Sequence, residues 1–243
     1  MNPTSEYALT ILVPVFNEQE GLPALEERLA AYLPQCSVKA CVLLINDGST
    51  DLSGARILEA CSRHTDFFYL EFGRNQGLSA ALKAGFDYAQ SPLCGYLDAD
   101  LQTAPEDLEL LLAALGNNDL VTGVRTGRQD SAWKRFQSRV GNAWRRAYTH
   151  DGATDTGCPL KLIRTETARR LPAFQGMHRF LPALVLLDGG TYKEVPVRHF
   201  PRTAGTSKFG VWNRLGRGIA DCRALRWMRK RRIAYKVSQT NLK

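Results

Sequence analysis

The feature that constrains this chain most is an alternation. Four times in its first 118 residues a short apolar run is followed by a segment with helical spacing, and a fifth apolar run closes the series. "LTILVPVF" (9–16), "ACVLLIND" (40–47), "FFYLEFG" (67–73), "CGYLDAD" (94–100) and "DLVTGVR" (119–125) read as strands. Between them "EGLPALEERLAAYL", "TDLSGARILEACSRH", "GLSAALKAGFDYAQ" and "APEDLELLLAAL" read as helices. Near-continuous apolar strands are the mark of burial on both faces, and parallel neighbours need a crossover between them, which a helix supplies. The expectation is a mainly parallel sheet covered by helices.

In such sheets ligands lie beyond the carboxyl ends of the strands. Here those ends carry Asn17-Glu18, Asp47-Gly48-Ser49, Arg74-Asn75, Asp98-Ala99-Asp100 and Arg125, five polar clusters on one rim. The stretch "GYLDADLQTAPEDL" (95–108) allows two readings. One is a solvated turn leading into a helix with Pro and acids in its first turn. The other is a metal site: on an extended backbone Asp98 and Asp100 leave on one face, with Ala99 turned away, and Gln102 follows if the chain stays extended. Two carboxylates and an amide oxygen are hard ligands suited to Mg²⁺ or Mn²⁺, with open positions for water and phosphates. Asp47 is open in the same way, as a cap for the next helix or as an acceptor for a nucleobase or ribose, with Gly48 permitting close approach.

Charge is divided unevenly along the 243 residues. Residues 1–124 hold 6 Lys and Arg against 17 Asp and Glu, a net of −11, while residues 125–243 hold 26 against 7, a net of +19. That basic half calls for an anionic partner: phosphates, nucleic acid or an anionic bilayer. Six scattered cysteines without a CxxC pair read as reduced, buried residues rather than a zinc site. No window reaches the ~18 to 20 apolar residues of a membrane span, and the N-terminus lacks the layout of a signal peptide. The expected location is the cytosol.

Taken together, "VPVFNEQEGL", "NDGSTD", "GLSAALKAGF", "DADLQTAPEDL", "TGVRTGR", "DTGCPLKLIR", "YKEVPV" and "PRTAGTSKFG" resemble, in order and interval, the family 2 glycosyltransferases. Within these the chain is most similar to the polyprenyl-phosphate group, dolichol-phosphate mannosyltransferase-like, over about residues 8–215. The resemblance implies a GT-A nucleotide-binding fold over 1–210, followed by a basic segment, 211–243. It implies an inverting, metal-dependent transfer from a UDP- or GDP-sugar to undecaprenyl phosphate at the cytoplasmic face of the inner membrane, or, as the alternative, to a soluble, glycolipid or protein hydroxyl. Pro14, Phe16, Glu18, Ile45 and Asp47 would line the nucleotide pocket, Asp98, Asp100 and Gln102 would hold the metal, with Ala99 between them, and Arg125 would sit by the donor. Arg202 and Lys208 would clamp the diphosphate from a loop that Gly205 frees. Arg135, Ser138 and Arg139 would meet the acceptor phosphate, and Asp155 is a candidate base or positioning group. "INDGS" stands where relatives often read DDGS, so one acidic neighbour of Asp47 is lost.

After Lys208, Trp212, Leu215, Ile219, Cys222 and Leu225 recur every three or four residues among many arginines. This reads as a helix lying on an anionic membrane surface, or as one packed on the domain with Arg stems over apolar surface. A separate integral membrane protein is a further docking partner. The rival of a different class is a nucleic-acid-binding or scaffold protein; it accounts for the arginines and leaves the acidic rim without a purpose, and no nucleic-acid motif is visible.

Overall fold

The computed structural model describes residues 2–126, 145–201, 211–233 and 238–239, with the backbone alone over 211–217. Seven strands form one sheet: β1 Leu9–Val15, β2 Ala40–Asn46, β3 Phe67–Glu71, β4 Leu93–Tyr96, β5 Leu120–Arg125, β6 Lys161–Arg164 and β7 Tyr192–Val197. Their spatial order is β3-β2-β1-β4-β6-β5-β7. β6 pairs antiparallel with both β4 and β5, and the other pairings are parallel. The helices are α1 Leu22–Tyr32, α2 Ser53–Arg63, α3 Leu78–Tyr88, α4 Leu108–Leu115, α5 Thr165–Arg170, α6 Leu181–Asp188 and α7 Val211–Arg231, with a further helical stretch at 145–149.

Burial explains the strand sequences. All seven residues of β2 are buried, as are six of seven in β1, which is why both read as unbroken apolar runs. β3, at one edge, alternates and exposes Tyr69 and Glu71, and β7, at the other, carries Pro196 where a missing N–H costs no central ladder bond. One apolar layer joins β1 and β2 to α1 and α4; the opposite layer joins the other strand faces to α3, α6 and α7. α3 is rich in small residues because it crosses the sheet closely: a Cβ on Gly85 would lie 2.8 Å from Leu12 Cδ1 and 2.9 Å from Ile45 Cδ1.

The mainly parallel α/β sheet and the first five strands lie where the sequence places them. Three features differ. "LKLIR" is a strand inserted antiparallel between β4 and β5, set by pairings about 40 to 70 residues away along the chain, which local pattern does not encode. β4 ends at Tyr96, so Asp98 to Gln102 have left the sheet, and Leu101 turns the chain at φ 54°. In α7, Cys222 and Leu225 are buried in the apolar layer beside α6, so this part of the predicted membrane stripe faces the protein instead. Six free cysteines agree with the reduced state expected.

Candidate functional site

The rim at the strand carboxyl ends is built by loops that bind one another. After β1, Asn17 takes φ 53°; its N–H donates to Ser49 Oγ at 3.0 Å, and its Oδ1 accepts from Thr50 N at 2.8 Å. Glu18 N donates to Ser53 Oγ at 2.9 Å, so Glu18 is held against the start of α2. Asp51, one residue before the N-cap Leu52, accepts from Ser53 N at 2.9 Å. Asp47 ties this pair of loops to the one after β3. Its Oδ1 accepts from Gln76 N at 2.7 Å, and its Oδ2 from Gly77 N and Asn75 Nδ2, both at 2.9 Å. Burial pushes its pKa up, and the two amides oppose that. Gly48, at φ 64°, lies so close to the β3–α3 loop that a Cβ would sit 2.2 Å from the Arg74 carbonyl carbon.

At the centre of the rim, Tyr96 Oη donates to Asp98 Oδ1 at 2.6 Å. Burial, then the like charge of Asp100, push the Asp98 pKa up to about 6, against the Tyr96 hydrogen bond and the cations Lys161 and Arg125. Asp100 Oδ1 accepts from Gln102 N at 3.1 Å, an Asx turn that bends the chain. Gln102 therefore does not follow Asp98 and Asp100 along one face of an extended strand. Its carbonyl accepts from Phe200 N at 2.9 Å and lies 3.1 Å from His199 Nδ1. Below this turn the ammonium of Lys161, only 2% exposed, donates to the Cys158 carbonyl and lies 5.6 Å from the Tyr96 ring centroid. Burial pulls its pKa down.

Two neighbouring carboxylates that repel each other in a half-buried setting are relieved by a divalent cation. Among the described residues no three His, Cys, Asp or Glu side chains converge. Asp98 and Asp100 would thus leave most of an octahedral ion's positions to water and phosphate oxygens, which fits Mg²⁺ or Mn²⁺ better than a closed protein cage would.

On the other flank Arg125, at the end of β5, is clamped to Asp155. Nε donates to Oδ2 and Nη2 to Oδ1, both at 2.8 Å, and the Arg125 backbone N–H adds a third bond at 3.2 Å. Burial works against the Arg125 charge, and Asp155 outweighs it, so the Arg125 pKa is raised. Asp107, in the "PEDL" turn, is buried and binds Arg198 through its backbone N at 2.7 Å and its Nε at 2.8 Å, fastening the end of β7 to the turn before α4.

The structure thus brings Glu18, Asp47, Asp98, Asp100, Gln102, Arg125 and Asp155 to one rim, with Pro14 and Phe16 half-buried at the end of β1 and Ala99 5% exposed. Ile45 is not brought there: it is fully buried under α3, because β2 is covered on both faces. Arg135, Ser138, Arg139, Arg202 and Lys208 lie outside the described residues. Sequence reasoning missed Tyr96, Lys161, the Asn75–Gly77 amides and the Asp107–Arg198 link. A lone Lys inside "LKLIR" was the available signal for Lys161; the amides carry none, since every residue has one.

A mainly parallel sheet with an Asp-x-Asp turn at its carboxyl rim defines the GT-A class of glycosyltransferase fold, and solved structures agree. Glucosyl-3-phosphoglycerate synthase from Mycobacterium tuberculosis, in complex with Mn²⁺, UDP-glucose and phosphoglyceric acid, superposes with a TM-score of 0.67 at 14% identity, over 94% of this chain and 81% of that one. Mannosyltransferase PcManGT from Pyrobaculum calidifontis, in complex with GDP-Man and Mn²⁺, gives 0.64 at 20% identity, over 94% and 65%. The family model for Glycosyl transferase family 2 matches residues 10–171, and the chain belongs to that family. Among curated proteins it is similar to undecaprenyl-phosphate 4-deoxy-4-formamido-L-arabinose transferases. That of Pseudomonas fluorescens (strain SBW25) is 36% identical over 215 residues, covering 87% of this chain and 62% of the relative. That of Salmonella enteritidis PT4 is 33% identical over 204 residues, covering 83% and 62%. The chain spans less than two thirds of the length of these relatives.

Proposed function

We propose that this protein is an inverting, metal-dependent glycosyltransferase that moves a sugar from a nucleoside diphosphate to undecaprenyl phosphate. The observation that carries the reading is the Asp98–Asp100 turn at the rim of a family 2 fold, in a chain whose curated relatives are named for that lipid acceptor. Asp98 and Asp100, with Gln102, would hold the divalent ion, Mg²⁺ or Mn²⁺. When bound, that ion offsets the negative charge that develops on the departing diphosphate.

The chain's own residues do the rest. Arg125, fixed by Asp155, presents a cation beside the donor, and Arg202 and Lys208 add charge on the diphosphate. Pro14, Phe16, Glu18 and Asp47 form the nucleotide side. Arg135, Ser138 and Arg139 receive the acceptor phosphate. A phosphate monoester has a second pKa near ~6, so at neutral pH it is already a dianionic nucleophile and needs no strong base. Asp155, whose oxygens accept three hydrogen bonds from Arg125, serves as a positioning group. In-line attack at the anomeric carbon, with the diphosphate leaving from the opposite face, inverts that centre.

The acceptor lies in a membrane, and the outer face of α7 suits attachment to an anionic one. Arg223, Arg226, Trp227, Lys230 and Arg231 are exposed there, with Trp227 at 62% and Ile233 beyond it at 86%. No helix among the described residues is long and apolar enough to cross a membrane.

The test incubates the protein and Mg²⁺ or Mn²⁺ with a panel of nucleotide sugars, with and without undecaprenyl phosphate, and scores nucleoside diphosphate release and labelled lipid. Lipid-dependent release that Asp100→Ala abolishes is the expected result. Release that ignores the lipid and labels a hydroxyl acceptor overturns the acceptor assignment.

A further inference from the structure

α7 is two-sided along its described side chains. Within the helix Cys222, Leu225 and Arg229 are spaced three and four apart and share one side, opposite Arg223, Trp227 and Lys230; Arg232 stands just past the last helical residue, and both arginines are exposed. Cys222 and Leu225 fill the apolar layer, and below them the contact with α6 opens into a cleft of about 280 Å³. Its floor is Ala183, Leu186, Leu187 and Leu225; its other walls are Thr149, His150, Arg229 and Arg232. Among the described residues no carboxylate lines it.

Arg229 and Arg232 differ from the arginines that the fold pairs internally. Arg125, Arg145, Arg170 and Arg198 all reach carboxylates. Neither Arg229 nor Arg232 has an ion-pair or hydrogen-bond partner among the described residues. Arg232 Nη2 does approach the turn after α6, 2.9 Å from where a Cβ on Gly189 would stand, yet it bonds no carbonyl there. Each guanidinium thus holds five N–H donors beside a leucine floor, and Leu186 is 39% exposed at its edge.

We propose that this cleft binds one anionic phospholipid, its phosphate held by Arg229 and Arg232 and the first carbons of its acyl chains laid over Leu186, Leu187 and Leu225. Charge decides the head: two unpaired guanidinium forks match a phosphate oxygen set. The floor decides the rest, because a free phosphate leaves those leucines in water while an acyl chain covers them. The cleft is separate from the donor site. Gly189 stands three residues before the start of β7, at the opposite end of that strand from Val197, the rim residue paired with Arg125. The lipid would fix the inner face of α7, leaving its outer face for the bilayer.

Calorimetric titration tests this without any nucleotide sugar, so it stands or falls apart from the proposed reaction. The titrants are dihexanoyl phosphatidylglycerol below its micelle concentration, dihexanoyl phosphatidylcholine and inorganic phosphate. The wild-type chain should bind the phosphatidylglycerol most tightly, and the paired substitution Arg229→Ala, Arg232→Ala should weaken that binding about tenfold or more. Lys39→Ala with Arg63→Ala removes the same charge from exposed positions away from the helix and should leave it unchanged. Leu186→Ser, at an exposed edge where folding is spared, removes apolar floor without adding charge and should weaken the lipid while leaving phosphate binding unchanged. The proposal is overturned if phosphate binds as tightly as the lipid, if the control pair loses as much as the cleft pair, or if the wild type binds none of the three.

Discussion

Asp47 and Asp155 stand at the same rim, 3% and 9% exposed, and are satisfied in different ways. Asp47, from the half with a net charge of −11, is surrounded by neutral donors, two backbone amides and an Asn side chain. Asp155, from the half with a net charge of +19, is clamped by a guanidinium. Neutral donors leave a carboxylate near nucleotide without bringing in a competing positive charge; a guanidinium places one beside it. Under the proposed reaction this division would suit a base and ribose on one side and diphosphate and acceptor phosphate on the other.

The largest effect should come where the halves meet. Asp98→Asn or Asp100→Ala is expected to lower metal-dependent turnover by about a hundredfold or more, the scale of losing an electrostatic group aimed at the reacting charge. Thermal melts should at the same time hold or rise, because Asp98 is pushed up to about 6 by burial and by Asp100, and removing either acid relieves that repulsion. A fall in melting temperature with activity retained would mean that the pair is only a capped turn.

Stability separates Asp47 from Asp155. Asp155→Asn strands the Arg125 charge in a setting where its side chain is 16% exposed, and should cost about 3 kcal/mol or more in urea unfolding. Asp47→Asn turns an amide against two N–H donors and should cost about 1 to 2 kcal/mol. The reverse order would break the contrast. Were Asp155 a base, its substitution would also reshape the pH dependence of turnover; as a positioning group it should lower the rate at every pH alike.

How far the sequence could be read follows the same division. β1, β2 and β3 with their helices are local crossover units, so apolar runs mark them directly. β6 is not local: its four residues gain their place from β4 and β5, and its Lys161 is buried by that placement rather than by any pattern of its own. The Asp-x-Asp pair was legible as chemistry, yet the geometry argued for it, one face of an extended strand, is replaced by a turn at Leu101. In α7 the spacing of Cys222 and Leu225 was visible, and what they face depended on α6, which periodicity does not report.

A pH effect should reveal a third group, half-buried between the halves. His178 Nδ1 lies 2.8 Å from Ser79 Oγ, which also accepts from Gly176 N at 2.9 Å. Burial, then Arg179 and Lys161, pull its pKa down to about 3. With the folded value below the unfolded one near ~6.5, the unfolded chain binds the extra proton in that window. Stability is therefore complete above ~6.5 and declines as pH falls toward 3. Urea midpoints at pH 7.5 and 5 should show this fall, and His178→Gln should flatten it. An equal fall in that variant would place the acid sensitivity elsewhere.

The smallest effect on stability should accompany a large one on attachment. Arg223 and Lys230 are exposed on the outer face of α7 and make no ion pair among the described residues, so replacing both with Ala should shift unfolding by no more than about 0.5 kcal/mol. At a bilayer rich in anionic lipid each cation contributes on the order of 1 kcal/mol, which predicts roughly a tenfold loss or more in vesicle sedimentation for the pair. Added salt should erase the difference between wild type and variant, since the attraction acts through water over about a Debye length. Trp227→Ala should weaken sedimentation in a way salt does not mask, because an indole at headgroup depth acts by burial rather than by charge. If instead the charge pair is silent and neutral vesicles bind as well, the net positive charge of this half serves phosphates at the rim alone, and the outer face of α7 is only a solvated one.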